Sequence, residues 1–290
     1  MMKDLLYSIR TLRRNPGFTA VAVVTLTLGI GANTAIFSVV NGILLSPLPY
    51  PNEERVAVLS NFWEDGRIGL SEQEYLAYKD QTQVFDAVAA YQFSTLNITG
   101  GDRAERVVAG AIGVDVLPLL GVPPMIGRNF AAEEDVSGGP ATALLGYGLW
   151  QRRYAGDRGI IGQTIVLDGI ATTVVGVLPP DLKLPGDFVG TPVQIYVPLA
   201  LDPVPDSRNI HYLRGLARLH EHVTIDEGRA VLAGVAERLK RELGTLPASF
   251  STTLIPVREE VVGAIRPALL VLLAAVGLVL LIASVNVANL

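Results

Sequence analysis

The 290-residue chain contains no cysteine. Disulfide staples and thiolate metal sites are therefore excluded, and a large domain built from this sequence must rely on its apolar core. Histidine is scarce as well, limited to His211, His220 and His222. His220-x-His222 could put two ligands on one face of a strand, but only Glu221 lies between them and no cysteine or carboxylate cluster completes a set. They read as polar loop residues. There is no Gly-x-Ser-x-Gly elbow, and no Gly-x-x-x-x-Gly-Lys-Ser/Thr loop, so ATP is not bound by that route. No catalytic, cofactor-binding or metal-ligating residue is assigned, and the chain is not read as an enzyme.

Charge is missing from two long stretches, Phe18 to Leu45 and Pro267 to Leu290. As helices they would extend roughly 42 Å and about 36 Å, enough for the ~30 Å hydrocarbon core of a bilayer. A signal peptide is the rival for the first, given Lys3, Arg10, Arg13 and Arg14 before it and Gly31-Ala32-Asn33-Thr34-Ala35 within it. The apolar run continues past those small residues, well beyond the 7–15 residues of a signal core. Two membrane helices, 18–45 and 265–290, are expected. The second ends at Leu290 without a basic anchor, which suggests an N-terminal fragment of a longer multi-pass protein.

Residues 1–17 carry four basic groups and one acid, whereas 46–264 carries 18 basic and 27 acidic residues. Positive charge stays on the cytoplasmic side, so the N-terminus is expected in the cytoplasm and 46–264 outside it. So acidic a segment does not suggest a nucleic-acid partner. Leu5, Leu6, Ile9 and Leu12 recur at helical spacing, predicting an amphipathic helix on the inner lipid surface over 1–17, stopped by Asn15-Pro16-Gly17. Gly31 and Ala35 form a small-xxx-small pair, and Asn33, Asn41, Asn286 and Asn289 add amides, so these helices should pack against others.

Between the spans, Arg55–Leu59 reads as a strand, Ser71-x-x-Glu74 as a capping box opening a helix, and Ala87–Leu96 as a second strand. The pattern recurs as a strand over Tyr212–Leu219, a capping box at Thr224-x-x-Glu227, a helix presenting Leu232, Val235, Leu239 and Leu243, and a strand over Ser251–Val257. Between these β-α-β units lie a short helix, Tyr147–Tyr154, and strands 163–167 and 172–177 joined at Asp168-Gly169, a strong hairpin signal. Another strand follows at 195–199. The fold class is an α+β extracytoplasmic domain of two lobes: β-α-β units over 46–126 and 202–264, and a smaller inserted α+β lobe over 127–201. Glu133-Glu134-Asp135 reads as a solvated loop, Asn97-Ile98-Thr99 as a chance glycosylation pattern, Trp150 as buried and Trp63 as an exposed residue of a turn-rich loop.

Several segments together resemble the MacB/FtsX-type ABC transporter permeases with a MacB-like periplasmic core domain, of the group lacking a fused ATPase. They are Leu5 to Thr19, Leu28 to Phe37, Gly148 to Tyr154 with Ile161-Gly162, Leu167-Asp168-Gly169, and Val174 to Pro180. The resemblance implies a porter-like lobe made by the flanking units, further membrane helices beyond Leu290, and a place in the bacterial inner membrane with 46–264 in the periplasm. It also implies an export or mechanotransmission role driven by a separate ATPase subunit, pairing with a second permease as a homodimer or heterodimer, and a periplasmic partner protein. Two other functions fit the same topology: an FtsX-like signalling protein that recruits or activates a cell-wall enzyme, and a membrane-anchored ligand receptor. No charged residue inside the spans marks an ion path, so the substrate stays open.

Overall fold

The computed structural model describes residues 16–45, 48–64, 66–100, 103–185, 192–201, 210–263 and 265–288. The chain divides into a helical unit, made by its two ends, and a mixed α+β domain over Leu48–Val261. The amphipathic helix expected over 1–17 lies, up to Asn15, outside the described residues.

Helix α1 (Pro16–Val40) continues into one π turn at Asn41–Leu45. Pro16 stands at its first position, where the missing N–H costs no hydrogen bond, and Gly17 is helical, so these two residues begin a helix where the sequence suggested a turn. Over Thr19–Val40 the helix is long and apolar enough to cross a membrane. Val21, Val24, Leu28, Ile30 and Phe37 are all more than half exposed, a surface that suits lipid better than water. Thr25, Thr34 and Ser38 each donate their hydroxyl to the carbonyl four residues earlier, satisfying themselves within the helix.

In the α+β domain, β1 (Val56–Trp63) and β2 (Gly66–Ile68) precede α2 (Glu72–Lys79), and the long β3 (Phe85–Thr99) pairs with β4 (Glu105–Ile112). Then come α3 (Val116–Leu120), β5 (Ile126–Gly127), β6 (Thr142–Leu145), α4 (Tyr147–Tyr154), β7 (Thr164–Leu167), β8 (Ile170–Val177) and β9 (Ile195–Pro198). β10 (Arg214–Leu219), α5 (Ile225–Leu243), β11 (Ser251–Pro256) and α6 (Val257–Val262) complete it. Both capping boxes form: Ser71 and Glu74 exchange side chain for backbone at the start of α2, and Thr224 and Glu227 do so at the start of α5. Asp168 and Gly169 take positive φ, 46° and 86°, as the hairpin between β7 and β8 requires.

The two β-α-β units interleave. Their strands lie in the order β11-β1-β10-β3, every neighbour antiparallel, so each unit leaves a gap between its strands that a strand of the other fills. Helices α2 and α5 supply the apolar cover: Tyr75 and Tyr78 from one, and Leu232, Val235 and Leu239 from the other, share a core with Leu59, Val88, Ala217 and Leu254. Sheet pairing continues beyond β3 and closes on itself, from β3 to β4, β9, β6, β8, β7 and back to β3. A ring has no free edges, and this one encloses Ile98, Val107, Ala109, Leu145, Val174 and Ile195, with Leu149 and Trp150 of α4 in the same cluster. Residues 127–201 thus belong to the same hydrogen-bonded sheet as the flanking units, through the far halves of β3 and β4.

Helix α7 (Arg266–Ala288) belongs to the helical unit; its apolar stretch, Arg266–Ile282, is shorter than that of α1. The two helices run antiparallel, with Leu280 against Gly29 and the amide of Asn33 donating to the carbonyls of Val276 and Gly29, both at 3.1 Å. It is therefore Gly29 and Asn33 that make this contact, whereas a Cβ added at Gly31 would meet nothing within 4 Å beyond its own helix backbone, and Ala35 is exposed. Asn289 lies outside the described residues.

Candidate functional site

The chain enters the α+β domain just before β1 and leaves it just after β11, and these strands are neighbours with Ala57 opposite Pro256. Entry and exit therefore lie side by side at one end of the sheet. A set of ion pairs and hydrogen bonds ties them together. Glu53 accepts from Arg258 on α6, through Nε at 3.0 Å and through Nη2, while its other oxygen accepts the Leu48 N–H at 2.8 Å. Arg218 of β10 donates through Nη2 to the Pro51 carbonyl at 3.0 Å and through Nε to that of Leu119 at 2.7 Å, fixing the incoming segment to α3. Tyr50, buried just upstream, donates its hydroxyl to the carbonyl of Lys183, a residue of the 127–201 segment.

A second tie reaches from α6 into a fork in the sheet. β1 pairs with β10 as far as Leu59 opposite Gly215, then with β2 from Asn61 opposite Ile68. The fork holds a cleft of about 280 Å³ lined by Arg67, Ile68, Gly69, His211, Tyr212 and Arg214, among others. Its walls are joined by a bridge between Leu70 and Leu213. Gly69 packs so closely on the opposite wall that a Cβ there would sit 2.6 Å from the His211 carbonyl oxygen. Arg67 Nη1 donates to both carboxylate oxygens of Glu260 on α6, at 2.9 and 2.7 Å.

Behind the cleft lies a buried polar network. Glu74, fully buried, accepts from Asn61 Nδ2 and the Ser71 N–H, both at 2.8 Å, and its other oxygen is 3.1 Å from His211 Nε2. Tyr78 donates to Asn61 Oδ1 at 2.9 Å, and burial pushes its phenol well above the ordinary tyrosine range. Tyr212 is raised likewise, by burial first and then by its bond to Glu72. The sequence marked none of this beyond the Ser71–Glu74 cap. Buried tyrosines and an asparagine in a strand have no periodic signature.

The other residues considered from sequence have structural partners. His220 follows β10, with Nδ1 against Asp86 and Nε2 2.9 Å from the Thr82 carbonyl, and its ring stacks on His222 at 5.7 Å. Among the described residues no group of three or more acidic, histidine or cysteine side chains could hold a metal ion. The 133–135 segment is not merely a solvated loop. Glu134 is buried and paired with Arg128 at 2.7 Å, and Asp135 accepts the N–H groups of Val114 and Ala200. Asn97 binds the side chain of Asp168. Trp150 is buried and donates to the Asp157 carbonyl, whereas Trp63, 38% exposed, ends β1 rather than lying in a loop.

Residues 19–235 match the MacB-like periplasmic core domain, well over half the chain. The chain belongs to that family. Its members are anchored in a membrane and carry an extracytoplasmic segment, and this chain's α+β domain and apolar α1 correspond to those two parts. Solved structures agree on the fold. The periplasmic region of MacB from Actinobacillus actinomycetemcomitans superposes with a TM-score of 0.51 at 14% identity, over 81% of this chain and 97% of that one. A domain described as that of a permease protein from Porphyromonas gingivalis gives 0.52 at 13% identity, over 71% and 92%. The extracellular domain of the noncanonic ABC-type transporter YknZ from Gram-positive bacteria gives 0.50 at 13%, over 68% and 99%. No curated protein matches the sequence.

Proposed function

We propose that this MacB-like protein is the permease subunit of an ABC-type export or mechanotransmission system, in which a separate ATPase drives movement of the extracytoplasmic domain. α1 and α7 are read as inner-membrane spans, with the N-terminus in the cytoplasm and the α+β domain in the periplasm. The observation that carries this reading is the seating of entry and exit on the adjacent strands β1 and β11, tied by Glu53 and Arg258. A sheet held at one point by both chain connections receives a shift of one against the other as shear between β1 and β11. Neighbouring strands are stiff to such shear, because slippage by one residue would turn every buried side chain to the wrong face. Motion would thus be passed on through β10 and β3 to the closed ring.

The test is co-purification of the full-length protein with a separate ATPase, followed by hydrolysis measurements on the complex. ATPase activity that depends on the permease, and that falls when residues 53 and 258 are locked by a short crosslinker, is the expected result. A full-length protein that never retains an ATPase, and instead captures a cell-wall hydrolase alone, would favour the signalling function over transport.

A further inference from the structure

We propose that the cleft in the fork between β10 and β2 binds a small soluble oxyanion, a phosphate or a carboxylate, and that Arg67 divides its charge between this ligand and Glu260. Three observations converge on it. First, β1 changes partner within two residues, from Leu59 to Asn61, and strands that part leave a crevice the sheet cannot fill itself. The space of about 280 Å³ is large enough for a metabolite-sized ion.

Second, an arginine lines each of the two walls. Arg214 is exposed, lies over the Phe93 ring at 5.4 Å, and has no carboxylate partner among the described residues. Arg67 gives only Nη1 to Glu260. Its Nη2 and Nε donors are left for a ligand, and a guanidinium presents donors in the fork geometry that phosphate and carboxylate oxygens fit. The nearby acids have partners of their own: Glu74 accepts from Asn61 and Ser71 and meets His211, and Glu72 accepts from Tyr212 through one oxygen, its other oxygen being buried.

Third, the cleft is joined to the way out of the domain. Glu260 lies on α6, the helix that also carries Arg258 to Glu53, so an anion that draws on Arg67 competes with Glu260 and loosens one of the two ties on α6. Binding in the cleft and release of α6 are then linked, and by reciprocity weakening the Arg67–Glu260 pair must tighten the anion. Binding stands apart from the permease reading, since it needs only this chain.

The chain has two tryptophans, and Trp63 meets the His211 ring edge-on at 6.1 Å beside the cleft. In Trp150→Phe, Trp63 is the sole tryptophan and is excited selectively near the red edge of the absorption band, where tyrosine does not absorb. Titrating that variant in detergent with inorganic phosphate, then acetate, at constant ionic strength should give a saturable change, matched by calorimetry on the unaltered chain. Arg214→Gln should weaken phosphate about tenfold, the loss expected for one charge-assisted hydrogen bond, and Glu260→Gln should tighten it several-fold. Absence of saturation, or equal affinity in Arg214→Gln, would mean an adventitious ion only and would overturn the proposal. An unchanged affinity in Glu260→Gln would overturn the sharing of Arg67. A response to anionic-lipid nanodiscs with none to free phosphate would overturn the soluble ligand.

Discussion

Glu53 and Arg258 are 205 residues apart in sequence, yet their ion pair closes the domain where the chain comes in and where it leaves. Glu53 is mostly shielded, with 16% of its side chain exposed, and it also accepts the Leu48 N–H, so its removal strips two partners at once. Glu53→Ala should lower unfolding free energy by about 1–3 kcal/mol, more than an exposed pair would. Denaturant titration of the full chain measures this. A loss within error of zero would show that the strap contributes nothing to the domain's closure.

The network behind the cleft makes a larger demand. Glu74→Ala would leave the Asn61 amide, the Ser71 N–H and His211 without their shared acceptor in a buried site, and should cost about 2–5 kcal/mol. Tyr78 adds an alkaline signature. Its phenol titrates higher in the folded chain than in the unfolded one because the buried anion is disfavoured, so its contribution is complete below about pH 10 and is lost as pH rises beyond it. Tyr78→Phe should flatten the alkaline limb of the stability profile, followed by circular dichroism. An unchanged limb in that variant would refute the assignment.

Much of the domain could be read from its residues. Ser71-x-x-Glu74, Thr224-x-x-Glu227 and Asp168-Gly169 are local signals whose chemistry is complete within a few residues, and each forms as expected. Tyr147–Tyr154 is a helix with the bounds its sequence suggested. What was not legible depends on partners far away. β4 alternates too weakly to announce itself, because Gly110 sits under the Tyr196 ring and Ala109 and Ala111 are small where the ring of strands is tight. β2 has only three residues and exists because β1 outruns β10. Burial of Glu134 has no local sequence signal, since its partner Arg128 looks like any surface arginine. The closed ring itself follows from β7 meeting both β3 and β8, a tertiary fact with no sequence period.

Acid should weaken the 128–134 corner. Glu134 is held below the ordinary carboxylate range by its bond to Arg128, helped by the Ala131 N–H and opposed by burial. A carboxyl whose folded pKa is depressed stabilises the fold above its unfolded value, near 4.3, and that contribution fades as pH falls through the folded value. Glu105 behaves likewise: burial opposes the anion, but Arg152 and Arg153 outweigh it. Glu134→Gln should therefore be less stable than the parent at pH 7 and approach it at pH 3, by chemical denaturation at each pH. A gap that persists unchanged at pH 3 would contradict this origin.

In the helical unit the same reasoning applies to Asn33. Its amide reaches across to the Val276 carbonyl, and the bare Cα of Gly29 lets Leu280 approach to a distance at which a Cβ would have only 3.0 Å. Hydrogen bonds between membrane helices contribute about 0.6–2 kcal/mol, and close packing at a small residue is the other main source of attraction in lipid. Asn33→Leu should thus weaken the pairing modestly. Gly29→Val should weaken it further, since the added methyls displace Leu280. Because the chain has no cysteine of its own, a cysteine pair at 29 and 280 gives a clean readout: rapid crosslinking in the parent background, slower with Asn33→Leu. Crosslinking that is fast instead between 29 and a site near the start of α7 would overturn the antiparallel register.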